Sequence, residues 1–118
     1  MYTLNHIQAS FVREAHQTSE KYPAGISEFE QVGLTPEYVE NFAAPFVKES
    51  RIKYALSLKE IIPIPLNDTS LVIGTILEVQ IQDNVIGKDG FIELDKAHSI
   101  CSNGNDAYYA TQFIERYK

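Results

Sequence analysis

From Ser70 to Asp83 the chain alternates, with Leu71, Ile73, Thr75, Leu77, Val79 and Ile81 interleaved with Val72, Gly74, Ile76, Glu78, Gln80 and Gln82. Successive side chains of an extended backbone point to opposite faces, so this period of two predicts a long β-strand. The Leu71-to-Ile81 set is expected to form one buried face. The second face is apolar at its start and polar at its end, which predicts burial on both sides near Val72 and half solvation near Gln82. Ile52, Tyr54, Leu56 and Leu58 alternate with Lys53, Ser57 and Lys59, and Leu66-Asn67-Asp68-Thr69 supplies turn residues between the two runs. Together they predict an antiparallel hairpin. Lys88-Asp89-Gly90 is a further turn signal, and Phe91-Ile92-Glu93-Leu94 after it is expected to add a third short strand. Such a sheet has two bare edges that something must cover.

The first half reads differently. Between Gln8 and Thr18, Phe11, Val12 and Ala15 fall at helical spacing, while Arg13, Glu14 and Gln17 supply a polar face, which predicts a short amphipathic helix. Ser27-Glu28-Phe29-Glu30 matches a capping box, and Gly33 is placed to end the very short helix that it opens. From Leu34 to Glu49 there is no sustained period, and Pro36 and Pro45 interrupt, so this stretch is expected to be an extended connection. Helices first and strands afterwards indicate an α+β domain, mostly β.

At 118 residues with 44% hydrophobic and 22% charged positions, the chain fits one domain spanning 1–118, able to build a core. Its net charge of -6 repels phosphate backbones and anionic lipid, which argues against nucleic acid and membrane surfaces as partners. No stretch approaches the ~20 apolar residues of a membrane span, and the N-terminus lacks a basic start followed by an apolar run. One cysteine, Cys101, forms no internal disulfide, so a reducing, cytoplasmic setting is expected.

The residues that carry familiar chemistries are sparse. His6, His16 and His98 are not spaced with Cys or carboxylates as metal ligands are, so no metal is expected. His98 and Cys101 lie three apart as a base and thiolate would, yet no orienting group accompanies them, and an unreactive small hydrophobe is the simpler reading of the cysteine. Asp83 to Gly90 lacks the alternating carboxylates and closing Glu of a calcium loop. The glycines at 25, 33, 74, 87, 90 and 104 never cluster into a phosphate-cradling loop.

Several segments taken together carry a resemblance. Lys21-Tyr22-Pro23-Ala24-Gly25-Ile26-Ser27-Glu28-Phe29-Glu30, Gly33-Leu34-Thr35-Pro36, Ala44-Pro45-Phe46-Val47-Lys48-Glu49-Ser50, Ser70-Leu71-Val72-Ile73-Gly74 and Gly104-x-Asp106-x-Tyr108-Tyr109 occur in the order and spacing of the flavin reductase and flavoredoxin family, which the chain resembles. The resemblance implies an FMN-binding split β-barrel, with the flavin near a homodimer interface. Tyr2-Thr3-Leu4-Asn5-His6 looks like a strand that lies near the middle of family members, so the resemblance is to their C-terminal portion, without the N-terminal strands that carry most flavin contacts.

The function implied is a flavin-linked redox protein in which FMN does the chemistry and NAD(P)H or a protein supplies electrons. On that reading Asn5 and His6 donate to ring or phosphate oxygens, Lys48 offsets phosphate charge, Ser50 donates to it, and Tyr108 covers the flavin or nicotinamide site. Plainer roles stand beside these: a solvated Lys48-Glu49 pair, a strand cap at Ser50, and packing for Tyr108. A second class of function is a non-catalytic dimerisation or binding module that keeps the fold without flavin.

Overall fold

The computed structural model describes residues 1–117. A three-stranded antiparallel sheet dominates, built from β1 (Tyr2–Asn5), β4 (Ile52–Ile64) and β5 (Thr69–Ile81) in the order β1-β4-β5. Between β1 and β4 lie two short helices, α1 (Val12–Gln17) and α2 (Glu28–Val32), and a small ribbon of β2 (Pro36–Glu37) and β3 (Phe46–Val47). After β5 the chain closes with a hairpin of β6 (Ile100–Asn103) and β7 (Ala107–Ala110).

The predicted hairpin is present, with its turn between Ile64 and Thr69. Its third strand is β1, not Phe91–Leu94: Ile92 makes only an isolated bridge to Ile86 and otherwise packs against the core of Ile52, Val85 and Ala97. The connection from Leu34 to Glu49 is not a plain extended link, because it folds back so that β2 and β3 pair, Pro36 opposite Val47 and Glu37 opposite Phe46. Ser27 stands at the start of α2 in an extended conformation, but its side chain makes no capping bond there. Gly33 ends that helix at φ 81°, the left-handed conformation that costs glycine least.

The expected single buried face of β5 is split by one of two irregularities in the hairpin. Leu77 of β5 and Lys59 of β4 have no opposite number, so the register shifts at each. Pairing of Tyr54 with Val79, Leu56 with Ile76, Leu58 with Gly74 and Ile61 with Val72 therefore gathers those residues on one face. Ala55 with Glu78, Ser57 with Thr75, Glu60 with Ile73 and Ile62 with Leu71 occupy the other. Uninterrupted alternation would have kept Leu71 and Val79 together; one extra residue reverses every side chain beyond it.

Burial also departs from expectation. The start of β4 is core, with Ile52, Ala55 and Leu56 buried, but Leu71 and Leu77 are 52% and 53% exposed. From Leu58 onward the hairpin is a projecting arm, apolar on both faces. The radius of gyration, 15.8 Å, exceeds the roughly 13.5 Å expected of a compact domain of this length.

Candidate functional site

At the base of the arm, where β1 meets the start of β4, long-range bonds converge on the segment that joins β3 to β4. The Thr3 hydroxyl donates to the Pro45 carbonyl at 2.7 Å, and the Val47 N–H donates to Asn5 Oδ1 at 2.9 Å. Thr35 N–H donates to the Glu49 carboxylate at 2.7 and 3.1 Å, and Lys48 N–H to the Thr35 carbonyl at 2.9 Å. Lys53 Nζ, on a side chain only 9% exposed, reaches Glu37 Oε1 at 3.3 Å and the Lys48 carbonyl at 3.2 Å. A loop with this many ties holds one backbone conformation, and it presents the exposed Lys48 side chain from a fixed base.

The side chains beside this segment form a cleft of about 220 Å³ lined by Lys48, Ser50, Arg51, Lys53, Gln80, Ile81 and Gln82. Three of its lining residues are cations and none is a carboxylate, in a chain whose overall charge is -6. Glu37 offsets Lys53, which leaves Lys48 and Arg51 as the two cleft cations that form no ion pair among the described residues. A pocket for a whole drug-sized ligand runs to roughly 300–1,000 Å³, so this one has room for a single anionic group. Among the described residues no three His, Cys, Asp or Glu side chains come together as metal ligands.

His6 is the hinge between β1 and the later loops. Its Nδ1 lies 3.0 Å from Ser99 Oγ, and its Nε2 lies 3.4 Å from the Tyr54 hydroxyl. Burial pushes its pKa down, so the neutral imidazole is the resident form, with one nitrogen donating and the other accepting. Ser50 is buried, and its hydroxyl donates to the carbonyls of His6 at 2.8 Å and Ile52 at 2.9 Å. That single hydrogen is shared between two backbone acceptors.

Asn5, His6, Lys48 and Ser50 thus belong to one bonded neighbourhood. Tyr108 does not. Its hydroxyl meets His16 Nδ1 at 2.7 Å, with the rings edge-on at 5.6 Å, beside a separate cleft with Val12, Arg13 and Asp106. Sequence reasoning passed over Arg51 and Lys53. A signal was present, since three of the chain's ten cations fall between residues 48 and 53, but the strand alternation absorbed Lys53 as an ordinary solvated position.

Residues 1–99 match the flavin reductase like domain family. The chain is similar to a protein of Shewanella frigidimarina described as a flavin reductase with a split barrel domain, at 45% identity and TM-score 0.93 over 98% of this chain and 59% of that one. It is also similar to the flavoredoxin of Desulfovibrio vulgaris, at 25% identity and TM-score 0.79, covering 97% of this chain and 61% of that one. An uncharacterised protein of Aquifex aeolicus is 25% identical over 114 residues, 97% of this chain and 57% of its own length. The chain therefore spans about three-fifths of the relatives that it matches, and the mostly-β architecture expected from the sequence is that of split-barrel flavin reductases.

Proposed function

Since the chain belongs to the flavin reductase like family, we propose that it is part of an FMN-dependent redox protein, cytoplasmic and homodimeric, in which NAD(P)H or a protein partner supplies electrons. The observation that carries this reading is the cationic cleft. Its size suits one phosphate, and its two uncompensated cations match the charge of a phosphate dianion. Bound FMN would supply the hydride and electron chemistry. Lys48 and Arg51 hold the phosphate end, Lys53 and Glu37 position the Lys48 loop, and the amides of Gln80 and Gln82 add uncharged donors. Ser50 and His6 serve the site from beneath, by locking β1 to β4. Asn5 ties β1 to β3 through Val47.

The residues present fit the phosphate end of the cofactor. The cleft is too small for the isoalloxazine ring, so the ring's remaining contacts are assigned to surfaces outside it. A second copy packed on the two-faced apolar arm supplies cover in the homodimer, because an arm apolar on both sides gains most when enclosed. The same feature favours the alternative of a flavin-free dimerisation module. Titration of FMN with the purified protein, followed by quenching of flavin fluorescence, separates the two: saturable quenching that Lys48→Ala plus Arg51→Ala weakens supports the flavin reading, and no quenching at millimolar protein supports the module.

A further inference from the structure

A second cavity lies between the loop at Phe91, β6 and the segment after β7. It has a volume of about 540 Å³, and its apolar walls are Phe91, Ile92, Leu94, Phe113 and Ile114. That volume is in the ordinary range for small-molecule sites, roughly 300–1,000 Å³, and the predominance of apolar wall over a few polar groups is their usual composition.

Two features narrow the ligand. The first is charge. Glu93, Asp95, Glu115 and Arg116 also line the cavity. Glu93 is bridged by Lys96 at 3.0 Å, and Arg116 by Asp89 at 2.8 Å. Asp95 and Glu115 have no cationic partner among the described residues, so the cavity carries a surplus of negative charge beside its apolar walls. The second is that the aromatic wall already takes a flat cation. The Arg116 guanidinium lies over the Phe91 ring, 4.1 Å from its centroid, while Asp89 binds the same guanidinium, and Phe113 meets Phe91 edge-on at 6.3 Å. A ring face with a carboxylate at its border is the arrangement that attracts a planar cation, through the ring quadrupole and the charge together.

We propose that this cavity binds a flat, apolar molecule bearing a positive charge, such as an aromatic amine or a ring-bearing amidinium. The apolar body lies against Ile92, Leu94, Phe113 and Ile114, since Arg116 already covers the Phe91 face, and the charge faces Asp95 and Glu115. Anions of the same size are rejected by those carboxylates and by the net charge of the whole chain. The site is distinct from the cationic cleft, which has the opposite charge and shares no lining residue with it.

The test uses the intact protein with two dyes of similar size that brighten on leaving water, cationic berberine and anionic 1-anilinonaphthalene-8-sulfonate. Berberine is expected to bind saturably at one site per chain, at least tenfold tighter than the anionic dye, and to weaken as salt rises. Phe113→Ala should weaken berberine at least tenfold, and Asp95→Asn with Glu115→Gln should narrow the gap between the two dyes. Residues 113 and 115 are exposed, and circular dichroism confirms that each variant folds before it is titrated. FMN added at saturation should leave the berberine signal unchanged. Equal binding of the two dyes, berberine binding that ignores both sets of substitutions, or displacement by FMN would each overturn the proposal.

Discussion

Tyr2 and Gly74 sit on the two outer strands of the main sheet, and the Tyr2 phenol spans the strand between them to rest on the bare backbone of Gly74. A Cβ at position 74 would run into the Tyr2 hydroxyl, and it would lie 2.9 Å from Tyr2 Cζ and 3.1 Å from the Ser57 carbonyl. Glycine here is required by a close approach within a strand. Gly74→Ala is expected to destabilise by about 1–3 kcal/mol through overpacking. In Tyr2→Ala the same substitution should cost much less, and urea unfolding of the four members of that cycle measures the coupling.

His6 should make stability fall on mild acidification. Burial lowers its native pKa below the ordinary value of about 6.5, so the unfolded chain binds the proton more readily than the native one. Stability from this group is therefore full above about pH 6.5 and declines as pH falls through that value. His6→Gln is expected to flatten the slope between pH 7.5 and 5.5. Denaturant midpoints over that range decide it, and an unchanged slope would assign the acid sensitivity elsewhere.

Lys53 should matter more than an ordinary lysine. Its side chain is nearly enclosed and satisfies both Glu37 and the Lys48 carbonyl. Lys53→Met removes both bonds and is expected to cost about 1–3 kcal/mol. Glu37 is 37% exposed and can rehydrate, which keeps the loss below that of a fully buried pair. Adding Glu37→Gln should recover part of it, as thermal melts of the single and double variants would show.

The arm should drive self-association. Ile62 and Leu71 face each other across β4 and β5 and are 39% and 52% exposed. Sedimentation equilibrium is expected to give a dimer at micromolar concentration, and Ile62→Glu with Leu71→Glu should return it to monomer without loss of β-sheet signal. Wild-type protein that stayed monomeric would refute this assignment of the arm.

Much of the architecture was legible because it is local. Alternation located β4, β5 and the turn between them, and Gly33 marked a helix end that the backbone adopts. What escaped depends on relations between distant segments. The register shifts at Leu77 and Lys59 leave no trace in the hydrophobic pattern of either strand alone, since each is defined by what lies opposite. Burial of Leu71 was misjudged because an apolar stripe states that a surface needs covering, and not which chain covers it. The same division holds at the site. Lys48 could be picked out from its motif, whereas the tie from Lys53 to Glu37 spans 16 residues and that from His6 to Ser99 spans 93.

The claim that the cleft holds a phosphate is tested most directly by amide chemical shifts of the labelled protein during parallel additions of FMN, riboflavin and inorganic phosphate, which report binding even when it is weak. The expected result is that FMN and phosphate both move the amides of Lys48, Arg51, Lys53, Gln80 and Gln82, that riboflavin leaves them in place, and that Lys48→Ala with Arg51→Ala abolishes the movement. Shifts at those amides of equal size with riboflavin and FMN, or FMN shifts confined to other parts of the chain, would contradict it.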